Sequence, residues 1–200
     1  MGTTDTELRA VVDAAAAAPA PDLADLLERV EALEATDAQR LQRKNKLSII
    51  AWGGDLDRIW PTLILSSTAA ASGMEASIFF TFWGLFAIVK PDVRITGENW
   101  MQKMMSVMNP GSARKAKLSR YHFAGAGPMM MKKLAKRHQV PEPPELLRLA
   151  QESGVRLLPC QMTMDLLGLR SKDLIDGLEQ PVGAATALRE MREAAIQLFI

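Results

Sequence analysis

The sequence predicts an α/β domain, an open and mainly parallel sheet flanked by helices on both faces, with an N-terminal helical extension. Three observations predict it. Short apolar runs recur at Lys46–Trp52, Glu75–Phe82 and Val155–Cys160, each bounded by glycine or a turn. Helical patterns separate these runs. The first two lie one helix apart, the spacing of a right-handed βαβ unit, which makes their strands parallel. The 200 residues, 48% apolar and 24% charged, suffice for one domain with an appendage.

The boundary falls between a flexible N-terminus with an amphipathic helix, residues 1–45, and the α/β domain, residues 46–200. Residues 1–21 end in an alanine run and the Pro19-Ala20-Pro21 linker. From Asp22 to about Arg43, Leu23, Leu26, Val30 and Leu33 follow a/d spacing, while Asp37 interrupts the stripe before Leu41. Such a stripe suits self-association or packing on the chain's own domain, and the spacing leaves both open.

Within the domain, Gly53-Gly54-Asp55-Leu56-Asp57 forms the turn after the first strand, with Asp57 a candidate N-cap. A helix follows to about Ser72. Pro61 sits near its start, where a missing N–H costs least, and Gly73 ends it. The second strand is rich in Ile and Phe. Residues 84–125 are the least regular, although Met101, Met104, Met105 and Met108 share one helical face before the Asn109-Pro110-Gly111 turn. Helices are predicted at Pro128–His138 and Glu145–Ser153, and then comes the third strand. Met162–Leu167 begins a short helix closed by Gly168, and Ser171 caps the next turn. Leu178 and Glu179 fall in a short strand, Gly183–Ala194 in a helix and Ile196–Ile200 in a last strand. Leu63–Val89 is long enough to span a bilayer, with Glu75 its only charge. Ser66-Ser67-Thr68, Gly73-Met74 and Trp83-Gly84 interrupt it where a helix would end and a strand begin and end, which favours a buried helix and strand.

Composition narrows the function. Net charge is +1, but residues 1–40 carry nine acids against three arginines, and residues 101–140 carry nine basic residues and no acid. That asymmetry suits an anionic partner for the basic segment, or an acidic arm that folds onto it. A basic amphipathic anchor at Trp100–Arg120 is a further reading. A single cysteine excludes an intrachain disulfide, and the chain opens without a signal-peptide pattern, so a cytoplasmic address is expected. No dinucleotide fingerprint or phosphate loop occurs, so no cofactor and no nucleic acid are expected. Gly125-Ala126-Gly127 is at most a weak anion cradle. One cysteine with His122 and His138 falls short of four zinc ligands, and the methionine clusters suit core packing better than Cu(I), so no metal is expected.

The chemistry centres on Cys160. Ligands of open parallel sheets gather beyond the C-terminal strand ends, and three segments end there: Gly53–Asp57, Thr81–Gly84 and Cys160–Asp165. Cys160 would stand at a strand mouth just before a helix N-terminus, whose dipole favours a thiolate. A thiolate there can attack sulfane sulfur, hold a persulfide or ligate metal. Against this, lone cysteines often serve as small buried hydrophobes.

Two stretches carry a resemblance: KLSIIAWGGDLDRIWPTLILSSTAAASGMEASIFFTFWGLF at Lys46–Phe86, and GVRLLPCQMTMDLLG at Gly154–Gly168, with the closing Leu198-Phe199-Ile200. Together they resemble the DsrE/DsrF/DsrH-like sulfur-relay family, in its DsrE-like subgroup sometimes labelled peroxiredoxin family protein. The resemblance covers residues 46–200. It implies a DsrE-like fold, a homo-oligomer, Cys160 as the residue carrying sulfane sulfur, and a TusA-like sulfur carrier and a rhodanese-type protein as partners. Gly54, Asp55, Asp57, Phe82, Trp83, Gly84, Met162, Met164 and Asp165 would line the site. Tyr121–Gly125 departs from the Met-Asn-Met pattern of such relatives, and Leu157-Leu158-Pro159-Cys160 lacks the Thr-x-x-Cys of a peroxidatic cysteine.

Overall fold

The computed structural model describes residues 22–43, 45–91, 93, 116–120 and 126–200. The chain divides into two units, Met1–Leu41 and Gln42–Ile200. In the first, α1 (Leu23–Arg43) is capped by Asp22, whose Oδ1 accepts the Leu23 N–H at 2.7 Å.

The second unit runs β1 (Lys46–Ala51), α2 (Leu56–Ala71), β2 (Glu75–Phe80), a 3₁₀ helix (Phe82–Ile88), α3 (Ala126–Arg137), α4 (Pro143–Glu152), β3 (Arg156–Pro159), α5 (Gln161–Leu167), a 3₁₀ turn (Ser171–Asp173), α6 (Ala184–Glu193) and β4 (Ile196–Phe199). The four strands form one parallel sheet in the order β3-β2-β1-β4. The α/β reading stands. Leu178 and Glu179 do not form the expected short strand; Leu178–Val182 runs beside β3 as an irregular edge segment, giving the Glu179 and Val182 N–H groups to the Leu157 and Pro159 carbonyls, with a single bridge at Val182.

Period-two alternation sorts the sheet's side chains. Leu47, Ile49 and Ala51 of β1 and Ala76, Ile78 and Phe80 of β2 pack with Leu56, Ile59 and Leu63 of α2 and Leu146, Leu147 and Ala150 of α4. Phe79 and Leu158 face the other way, toward Ala187 of α6. The main core therefore lies between the sheet and the α2–α4 pair.

Two local readings change. The N-cap of α2 is Asp55, not Asp57; the Asp57 carboxylate instead holds Ser119, accepting its backbone N–H at 2.9 Å and its hydroxyl. The second strand stops at Phe80 because Phe82 adopts a positive φ of 46°, which breaks the extended path. Among the described residues no helix is long and apolar enough to cross a membrane, and Leu63–Val89 folds into α2, β2 and the 3₁₀ helix. The methionine face at Met101–Met108, the turn after it, His122, Tyr121–Gly125 and the linker before Asp22 lie outside the described residues.

Candidate functional site

Cys160 directly follows β3 and is the N-cap of α5. Its N–H donates to the Phe80 carbonyl at 2.9 Å, and its own carbonyl accepts the Met164 N–H at 3.0 Å, closing the first turn of α5. The strand-mouth position is as the sequence implied. Exposure is the surprise: Cys160 is only 2% exposed. Its neighbours are Phe79, Leu158 and Ala187, with Ile50 and Val182 beside them. Val182 is fixed beside it, bridging to Cys160 and accepting the Gln161 N–H at 3.0 Å. The thiol therefore lies under a cover made by the edge segment and α6.

A charge cluster at the opposite end of the sheet anchors α6. Glu190, buried, takes Lys46 at 3.1 Å from the start of β1 and Arg156 at 3.0 Å from the start of β3, reaching across β2. Lys46 also meets Glu193 at 2.9 Å, and Arg156 meets Glu179 of the edge segment. The hydrogen bond from Arg156 holds the Glu179 carboxyl below its ordinary range, and the same bond, helped by Glu190, raises Arg156. For Lys46, burial works against the charge, but the bonds to Glu193 and Glu190 outweigh it and leave the ammonium raised. One cluster thus clamps both pieces of the cover.

The rim beyond the strand ends is built separately. Thr81 and Thr163 share a hydrogen bond of 3.1 Å, and the Thr163 hydroxyl also accepts the Phe82 N–H at 3.1 Å, tying the start of the 3₁₀ helix to α5. This bond fixes Phe82 in its left-handed conformation, and Phe82 and Trp83 are each 45% exposed. Gly84 is buried where any Cβ would strike the Ala51 carbonyl, and a Cβ at Gly54 would meet the Trp83 carbonyl, so the two turns close against each other only through glycine. Arg58 stacks on Trp52 at 4.5 Å, and Trp52 stacks on Phe199 at 6.1 Å between centroids. Burial, then the Asp57 charge, raises the Asp55 carboxyl; at Asp57 burial acts the same way but the Ser119 hydrogen bonds prevail and lower it.

The structure thus gathers Gly54, Phe82, Trp83 and Gly84 into one rim, with Asp55 at the head of α2. It leaves other expected lining residues elsewhere. Met164 turns into the α2–α4 core, Met162 and Asp165 are exposed on α5 with Asp165 accepting from Gln161 at 2.7 Å, and Asp57 is occupied by Ser119. The apolar ones among them, Phe82, Trp83, Met162 and Met164, all lie outside the cysteine's own hydrophobic cluster. Sequence reasoning missed Val182, Ala187 and Glu190. A glutamate at i+3 from an alanine, on a helix following Pro181-Val182-Gly183, was the available signal, but it has meaning only once α6 is known to cross the sheet. A cavity of about 230 Å³ beside β3 is lined by Pro159, Leu174, Glu179 and Pro181 among others, and Cys160 is not on its wall. Among the described residues no group of three His, Cys, Asp or Glu side chains could hold a metal ion.

Comparison with known proteins adds a lineage. Residues 43–199 match the DsrE/DsrF/DrsH-like family. The chain is 39% identical over 159 residues to an uncharacterized protein, YrkE, of Bacillus subtilis (strain 168), covering 80% of this chain and 99% of that one. It is 35% identical over 167 residues to sulfur carrier protein DsrE2 of Allochromatium vinosum, covering 78% of this chain and 99% of that protein.

Proposed function

Because the chain belongs to the DsrE/DsrF/DrsH-like family, we propose that it is a sulfur carrier or sulfurtransferase that holds sulfane sulfur as a persulfide on Cys160 and passes it to a partner protein. The observation that carries this reading is the position of the chain's only cysteine. It stands at the C-terminal mouth of β3, inside residues 43–199 that match the family.

In the loading step the Cys160 thiolate attacks the outer sulfur of a donor persulfide. A bond forms from Sγ to that sulfur, the donor's S–S bond breaks, and the donor leaves as a thiolate; the thiol proton passes to solvent, with no net oxidation. Transfer to an acceptor thiol repeats the exchange in the other direction. Both steps require the cover of Val182 and Ala187 to move aside, since the sulfur is enclosed at rest. Gly54, Asp55, Phe82, Trp83 and Gly84 shape the rim that a partner meets, and Met162 and Asp165 add the exposed side of α5. A TusA-like carrier and a rhodanese-type protein are the partner classes, the basic 101–140 segment docks an acidic one, and the chain works as a cytoplasmic homo-oligomer.

Intact mass after incubation with polysulfide tests the reading. A gain of one sulfur atom that is absent in Cys160→Ala is expected, and no adduct on the wild-type chain overturns it. The burial of Cys160 favours a second reading, a non-catalytic assembly module with a structural cysteine. Thiol labelling of the native protein separates the two: a cysteine inert until denaturation supports the assembly module.

A further inference from the structure

The family match begins at residue 43, and the two relatives are already covered over 99% of their lengths. Helix α1 is therefore an addition to the shared domain. It is also an amphipathic helix whose apolar stripe, Leu23, Leu26, Val30 and Leu33, is covered by nothing described within its own unit. From the pattern of its charges we infer that α1 pairs with α1 of a second copy as a parallel, in-register two-stranded coiled coil.

Taking Leu23 and Val30 as a positions puts Leu26 and Leu33 at d, a β-branched residue at a with leucine at d being the choice that favours two strands. The flanking positions decide orientation. Arg29 falls at g and Glu34 at the following e, so a parallel pair sets Arg29 of each helix against Glu34 of the other, twice by symmetry. An antiparallel pair sets g against g and e against e. Within the helix the g residues are Arg29, Thr36 and Arg43, and the e residues are Leu27, Glu34 and Leu41, so none of these gains an opposite charge there; the one acid at g, Asp22, is the cap, its carboxylate already holding the Leu23 N–H. Within its own helix Arg29 reaches only Asp25, at 4.0 Å across exposed side chains, which leaves it available. Asp37, at the third a position, ends the apolar seam and penalises shifted registers. The outer face carries Glu28 and Glu31, which an anionic lipid surface would repel, so a second copy is the fitting occupant.

The inference does not rest on sulfur chemistry and is tested without it. In the full chain carrying Cys160→Ala, Val30→Cys is compared with Glu31→Cys under mild oxidation on non-reducing gels. Residues at a face their own copy closely enough for a disulfide, whereas residues at b point outward, so crosslinking at position 30 is expected to be about tenfold faster or more. Equal or slower crosslinking at 30 overturns the coiled coil, including the case in which α1 docks on some other surface. Orientation is read by adding Arg29→Glu to one Val30→Cys chain and Glu34→Arg to another. Each alone should crosslink more slowly than the parent, and their mixture should recover as a heterodimer. No preference for the mixed pair overturns the parallel register.

Discussion

The α2–α4 face of the sheet packs hydrocarbon against two helices, whereas the α6 face mixes Phe79 and Leu158 with the Ser48–Ser77 hydrogen bond, a clamp of Lys46, Glu190 and Arg156, and the cysteine. Among the described residues only α6, ten residues long, contributes a helix to the second cluster, through the small side chain of Ala187. The difference teaches which face is suited to open. Burial of large aliphatic groups is lost only with the whole fold, while a short helix held by polar contacts can lift and re-form. Under the proposed function, a thiol that is enclosed at rest and opened for transfer belongs on the second face.

The largest expected effect lies on the first face. Ile78→Ala removes a fully buried side chain from the central β2 and should cost about 3–4 kcal/mol, read by urea denaturation. Glu190→Gln comes next, at about 2 kcal/mol, because it strips the clamp of its buried charge while Arg156 keeps partial solvent and its bond to Glu179. The two variants should differ in kind as well as size. With Glu190→Gln, Cys160 labelling should accelerate by about tenfold or more while β1 and β2 amides stay protected from exchange. In Ile78→Ala, thiol and amide reactivity should rise together. Labelling that follows global unfolding in both would erase the contrast between the faces.

Smaller effects sharpen it. Ser77→Ala leaves Ser48 buried without its partner and should cost about 1 kcal/mol, whereas Ser48→Ala with Ser77→Ala should cost less than twice that, since no orphan hydroxyl remains. Acid should weaken the clamp last. The Glu179 carboxyl is lowered in the fold, so its contribution is present above the ordinary glutamate range and fades as pH falls through the lowered value. Its exposure keeps this below about 1 kcal/mol, and Glu179→Gln should flatten the acid limb of a denaturation series by that amount.

Much of the fold was legible because it rests on local rules. Gly73 and Gly168 end their helices with positive φ, Lys46–Ala51 and Glu75–Phe80 pair as neighbouring parallel strands, and α4 and α6 fall within a residue or two of their expected bounds. The errors were of another kind. Asp57 has the chemistry of an N-cap, yet Asp55 takes that place and Asp57 binds Ser119, a residue 62 positions away. Phe82 belongs to an apolar run but is turned out of the strand by Thr163, which lies 81 positions along the chain. Neither partner is visible in a sequence window.

By itself the sequence determined the order of strands and helices and placed Cys160 at a strand end, because turn chemistry and hydrophobic period act over a few residues. The tertiary structure alone decided that the sulfur is covered. That cover is made by Val182, which the edge segment lays beside the end of β3, and by Ala187, which reaches Cys160 because α6 crosses the sheet between β3 and β4. Chain crossings of that length are fixed by how the layers pack, and packing is a property of the whole domain.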